Sequence, residues 1–253
     1  MNKDTLRQTA NLLSVILALA VNVLAAALPL NNQTTAQISD RFKVFFVPAG
    51  YVFAIWGIIY IGWIAFTVYQ FLPGHKESPR LRGLGYLFAL TGVFNAVWLF
   101  CWQYNHFTLS VIVMLILLSL LIASYLNLNI GRTSVSSAEK WCMDIPISVY
   151  LGWISVATIA NISDWLYSIN WNGFGIAPQV WAVIMMIVAS VLGILMALTR
   201  RDSGYLFVFV WAFIGIAVKQ SAVALVSISG WIAALVALAL AIYAIVQRRR
   251  MSV

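Results

Sequence analysis

Apolar residues run along this chain in long, nearly unbroken stretches separated by short polar or breaker-rich pieces. Eight stretches reach the ~18–25 residues that a helix needs to cross a bilayer. They fall near residues 9–30, 49–72, 83–104, 107–128, 142–164, 178–198, 205–222 and 226–247. The separators include Asn31-Asn32-Gln33-Thr34-Thr35, Leu72-Pro73-Gly74-His75-Lys76, Gly131-Arg132-Thr133-Ser134 and Thr199-Arg200-Arg201-Asp202. The last separator is the weakest: Val223 to Ser229 offers only Ser227, Ser229 and the adjoining Gly230 as punctuation, which leaves seven spans open as well. Lys3 and Arg7, followed by an apolar run and Ala25-x-Ala27, have the outline of a signal peptide. The run from Leu12 to Leu30 is longer than a usual signal core, so a retained transmembrane helix is expected.

Composition agrees with this pattern. Mean hydropathy is +0.94. Only 9% of residues are charged, against about 25% in soluble domains. The fold class expected is an all-α integral membrane protein. The net charge of +8 would suit nucleic acid, but the charges lie between apolar stretches and act as topology signals, so no nucleic-acid partner is expected. With the N-terminus inside, Lys3, Arg7, Lys76, Arg80, Arg82, Arg132, Lys140, Arg200, Arg201, Arg248, Arg249 and Arg250 all fall inside. Only Arg41 and Lys43 fall outside. That asymmetry predicts both termini in the cytoplasm and an even number of spans. A bacterial inner membrane is the default location. The long 31–48 connection then lies outside, long enough to fold over the mouth of a bundle as a lid.

Few residues offer chemistry. Cys101 and Cys142 read as buried thiols rather than a disulfide framework. His75 and His106 have no partner at metal-ligand spacing, so no metal site is expected. Lys219 lies near a helix end and is expected to snorkel to the interface. The alternative, a Schiff-base lysine in a seven-helix photoreceptor, lacks an embedded carboxylate counter-ion. Asp144 and Asp164 flank the fifth span and are expected to be solvated end charges. Small residues repeat every fourth position at Ala189, Gly193 and Ala197 and again at Ala233, Ala237 and Ala241. This spacing suits close helix packing, within the chain or between protomers.

The aromatic residues are more informative. Eleven tryptophans occur, several at helical spacing. Phe53, Trp56, Tyr60 and Trp63 share one helical face, as do Asn95, Trp98 and Trp102, and as do Tyr150, Trp153, Ala157 and Asn161. Tryptophan favours the membrane interface, so stripes of it along a span imply helix packing or an aromatic-walled cavity. An asparagine in hydrocarbon is costly unless hydrogen-bonded, so Asn95 and Asn161 should face the interior. Spacing alone leaves two readings open: an aromatic-packed core glued by amides, or a pocket for a flat, mostly apolar ligand.

At these residues the chain resembles the TspO/MBR family of translocator proteins and tryptophan-rich sensory proteins. Pro48, Tyr51, Val52, Phe53, Trp56 and Tyr60 follow its second-helix pattern. Phe94, Asn95 and Trp98 partly follow the third, and Tyr150, Leu151, Trp153, Ala157, Thr158 and Asn161 the fifth. The motifs cover roughly residues 8–170. The resemblance implies a five-helix bundle in residues 1–170, with residues 171–253 adding about three transmembrane helices and a basic tail, about eight helices in total. It further implies a cavity for porphyrins such as protoporphyrin IX or haem, with no required cofactor, and frequent homodimerisation. The ligand-binding set it implies is Phe53, Trp56, Tyr60, Asn95, Trp98, Tyr150, Trp153, Ala157 and Asn161. The chain departs from the family at Val149-Tyr150, where the family has Pro-Tyr, and at Trp102-Gln103, where it has two aromatics. After the fifth span it lacks the vertebrate sterol motif.

A membrane-embedded binding or sensory protein for a planar apolar ligand is therefore expected. The alternatives are a secondary transporter of such ligands and a light-dependent porphyrin-degrading protein. No acid–base or metal centre is expected. If photochemistry occurred, the resemblance would assign it to Trp56 and Trp153.

Overall fold

The structure, a computed structural model, describes residues 2–28 and 30–250, with side chains through Arg248. Pro29 of the first expected span and the side chains of Arg249 and Arg250 in the basic tail lie outside the described residues. No strand occurs among the described residues. Eight principal helices follow one another: α1 Lys3–Ala27, α2 Gly50–Phe71, α3 Leu87–Gln103, α4 Phe107–Asn127, α5 Ser137–Ser168, α6 Pro178–Arg200, α7 Ser203–Lys219 and α8 Ala224–Arg250. Six of them (α1, α2, α4, α5, α6 and α8) are long and apolar enough to cross a membrane. The other two, α3 and α7, are apolar helices of 17 residues, the lower end of spanning length at ~17–25 residues. At the weakest expected boundary the chain makes two helices: α7 ends at Lys219 and α8 starts at Ala224.

Local chemistry explains these limits. The Asn2 side chain caps α1 by accepting from the Asp4 N–H at 3.0 Å. Ser136 and Asp202 cap α5 and α7 in the same way. Pro178 opens α6, where its missing N–H costs nothing. Asn105, Asn129 and Asn170 close the turns after α3, α4 and α5 with φ of 61°, 50° and 56°. That left-handed conformation is one asparagine tolerates better than most residues. α2 opens as a tighter 3-10 turn over Gly50–Ala54 and becomes α-helical only at Ile55. α5 carries a π-helical turn at Lys140–Asp144.

The chain divides into two compact units. The first comprises residues 1–38 and 56–151, the second residues 39–55 and 152–253, so the division falls within α2 and α5. In the first unit α3 packs against α1 and α4. Gly92 of α3 lies so close to α1 that a Cβ there would meet the Ser14 carbonyl oxygen at 2.9 Å. In the second unit α8 packs against α6 and α7. Both small-residue stripes are used there: Ala189, Ala197, Ala233, Ala237 and Ala241 are all buried within the chain.

Asp144 and Asp164 differ from expectation. Both are buried, at 2% and 1% exposure, rather than solvated. Within the first unit Asp144 accepts a hydrogen bond from Arg80 at 2.7 Å, and Glu139 approaches the same guanidinium. Within the second, Asp164 takes a hydrogen bond from the Ser39 hydroxyl. A charged or hydrogen-bonding partner is what makes a buried carboxylate tolerable. Sequence position placed these residues at a helix end, but the connections folding back over that end were not visible in the pattern. Lys219 does not snorkel alone: it is ion-paired with Asp40 in the second unit.

Candidate functional site

The first unit gathers Trp56, Tyr60 and Trp63 of the α2 stripe, the α3 stripe, and Tyr150 of α5. The Trp56 ring stacks on Tyr60 at 6.0 Å and on Trp98 at 6.4 Å, and meets Tyr150 edge-on at 6.1 Å. Trp98 continues to Trp102 at 5.9 Å, and Tyr60 to Trp63 at 5.5 Å. Trp63 closes the circuit on Tyr150 at 5.3 Å. These separations and tilts lie in the attractive range for aromatic pairs, about 4.5–7 Å between centroids. Trp98, Trp102, Trp63 and Tyr150 are buried, while Trp56 and Tyr60 are half-buried, so the cluster keeps accessible ring surface on α2.

A polar thread runs beside the rings. Asn22 of α1 donates to the Asn95 side-chain oxygen at 2.8 Å and accepts from the Tyr60 hydroxyl at 2.9 Å. Three helices are thus joined at one amide. Buried polar atoms are left over: Asn95 Nδ2, the Tyr150 hydroxyl and Trp63 Nε1 have no well-formed hydrogen bond among the described residues. The Asn95 amide and the Tyr150 hydroxyl face each other without achieving that geometry. Buried polar groups are paired in the great majority of cases, so the Trp63 Nε1 donor and the loosely met Asn95–Tyr150 pair leave hydrogen-bonding capacity beside the rings. A flat apolar molecule with a few acceptor atoms fits that chemistry.

The connection after α1 is bound to this cluster's far end. Asn31 and Gln33 each donate to the Gln103 carbonyl, at 3.0 and 2.7 Å. Trp102 Nε1 donates to the Thr35 carbonyl at 3.3 Å. The first part of the expected lid is therefore an ordered segment moored on the C-terminal end of α3.

Of the residues expected to bind ligand, Trp56, Tyr60, Asn95, Trp98 and Tyr150 come together here. Phe53, Trp153, Ala157 and Asn161 belong to the second unit. There Phe53 meets Trp153 edge-on at 5.8 Å, Asn161 is buried, and Ala157 is half-buried. Phe53 lies in the 3-10 turn that precedes the α-helical part of α2.

A family model described as TSPO-like protein matches residues 8–244. The chain belongs to this TSPO-like family. The match continues through α6, α7 and most of α8, beyond the five spans that carry the motifs. No curated protein and no solved structure matches the chain. This TSPO-like chain is an integral membrane protein by its helices and its family, and its aromatic cluster fits a membrane ligand-binding role. Sequence reasoning missed Asn22, the amide at the centre of the site. It sits in α1, where no aromatic stripe drew attention, and its intramembrane polarity was the one signal available. No group of His, Cys, Asp or Glu that could hold a metal ion occurs among the described residues.

Proposed function

We propose that this TSPO-like protein binds a porphyrin or a similar planar apolar ligand at the aromatic cluster of α2, α3 and α5. The observation that carries the reading is the pairing of open ring faces, Trp56 and Tyr60, with the buried Trp63 Nε1 donor and the loosely met Asn95 and Tyr150 polar groups. Each ring stacked on such a ligand contributes about 0.5–1.5 kcal/mol beyond burial. The donors orient its polar substituents, and the moored 31–38 segment controls entry. A binding or sensory role in a bacterial inner membrane, with both termini cytoplasmic and the protein free to pair with a second copy, accords with this site.

Titration of the purified protein with protoporphyrin IX, followed by tryptophan fluorescence, tests the proposal. We expect saturable quenching that Trp56→Phe and Asn95→Ala weaken by roughly tenfold, about 1.4 kcal/mol. Trp231→Phe, an exposed position of α8, should leave it unchanged. Quenching that is unsaturable, or equal in all variants, would reduce the cluster to a packing device.

A transporter reading gains one specific support. Asp164 is a buried carboxylate with an oxygen lacking a partner among the described residues, the kind of group that ion coupling uses. Gradient-dependent porphyrin uptake into proteoliposomes, lost in Asp164→Asn, would favour transport over sensing.

A further inference from the structure

A second cavity, sharing no residue with the aromatic cluster, lies wholly within the second unit. It encloses about 330 Å³. Phe45 and Phe46 of the 39–55 segment, Ile162 and Leu166 of α5, and Trp171 and Trp181 form most of its wall. The wall is braced: Trp181 Nε1 donates to the Gly173 carbonyl at 2.9 Å, and the Trp171 and Trp181 rings meet at 5.3 Å. Gly173 holds a left-handed φ of 63°, and a Cβ there would press on Trp181 Nε1 at 3.2 Å, so a side chain at this bend would be strained and would crowd the ring.

The polar groups of this cavity are few. Lys43, Ser163, Asn172 and Tyr167 line it beside the Trp171 and Trp181 indoles, and no Asp or Glu does. The Ser163 hydroxyl is committed to the Ile159 carbonyl at 2.8 Å. The Asn172 oxygen accepts from the Phe174 N–H at 3.1 Å, which leaves its NH₂ as a donor. Lys43 is exposed and has no carboxylate partner among the described residues. The cavity thus combines an apolar wall with one cation, the Asn172 amide donor and the Tyr167 hydroxyl. Pockets built this way take an apolar body and fix it by a few convergent polar groups. A cation and a donor without a neighbouring carboxylate select an anionic end. The volume lies near the bottom of the small-molecule range of about 300–1,000 Å³, which favours one alkyl chain over the two of a membrane lipid.

We propose that this cavity binds a single-chain amphiphile with an anionic head group, its alkyl chain against Phe46, Ile162, Leu166 and Trp181 and its head at Lys43 and Asn172. The proposal stands independently of the porphyrin reading.

Its test uses the full chain in nanodiscs of zwitterionic diacyl lipid, with cis-parinaric acid as the fluorescent long-chain carboxylate. Energy transfer from tryptophan should saturate above the level of protein-free nanodiscs. Dodecanoate should displace the probe better than dodecanol on the wild type. Lys43→Gln should shrink that preference by up to about fivefold, the reach of an exposed ion pair. Ala182→Trp, which fills the cavity from α6, should abolish saturable transfer, and Ser163→Phe does the same from α5 should the first variant fail to fold. Dodecyl phosphate run in parallel assigns the head group, and displacement by either anion supports the proposal. No saturable transfer, transfer unaffected by both filling variants, or equal displacement by dodecanol and the anions on the wild type would overturn it.

Discussion

Asn22 shows how much one side chain decides in this fold. It donates to Asn95 and accepts from Tyr60, so α1, α2 and α3 share a single amide. Interhelical hydrogen bonds in membranes are worth about 0.6 kcal/mol on average and up to ~1.7. Asn22→Leu removes two of them and strands the Asn95 oxygen. We expect a loss of about 1–2 kcal/mol, read as a lower melting temperature in detergent, together with weaker porphyrin quenching. An unchanged melting temperature would mean that water replaces Asn22 without cost. Arg80 is a second such residue. Its guanidinium pairs with buried Asp144 and also donates to the Leu128 carbonyl at 2.7 Å. Arg80→Ala leaves a buried carboxylate without its cation, a loss of about 3–5 kcal/mol. The double variant Arg80→Ala with Asp144→Asn should recover much of it. Failure of that rescue in thermal unfolding would show that Arg80 acts through Leu128 or Glu139 instead.

At the scale of the helices, close approach sets the packing. The α1–α3 contact depends on the missing side chain of Gly92, since even a methyl group would meet the Ser14 carbonyl and hydroxyl at 2.9 and 3.1 Å. Gly92→Ala should therefore destabilise by about 1–3 kcal/mol, the usual cost of overpacking, although alanine is the better helix former. A more stable Gly92→Ala protein would show that α1 shifts to make room. α1 is also tied down at its start. Arg82 holds Asp4 at 2.6 Å, Arg7 donates to the Lys76 carbonyl at 2.7 Å, and Asn11 donates to Gln70 at 2.9 Å. None of these pairings has a sequence signature, because the partners lie some 60 to 80 residues apart and their pairing follows from how α1 lands beside the α2–α3 connection.

For the whole molecule, the spread of cations predicts an orientation: the segments holding Lys76 and most other cations on the inner side, Arg41 and Lys43 on the outer. Cysteines placed at Lys76 and Lys43 in a Cys101→Ser, Cys142→Ser background should react with a membrane-impermeant maleimide from opposite sides of the membrane. Position 43 should be labelled in intact cells and position 76 only after lysis. Labelling of both in intact cells would reverse or break the scheme.

Hydrophobic runs and breakers placed eight apolar stretches, with seven left open at the last boundary, and each carries one of the eight principal helices, because a bilayer demands long apolar segments with their backbone groups satisfied internally. Period 3.6 was enough to put Trp56 and Tyr60 on one face, and Asn95 with Trp98 on another. The rest needed the tertiary structure. The fold chooses Asn22 as the amide that joins the stripes. Burial of Asp144 and Asp164 depends on Arg80 and Ser39, which arrive from distant connections. The cavity behind Trp181 depends on a left-handed glycine and on a loop that returns from residues 43–46. Periodicity reports which side of a helix is apolar, whereas contacts between segments far apart in the chain depend on how those sides meet, and a one-dimensional pattern carries no record of that.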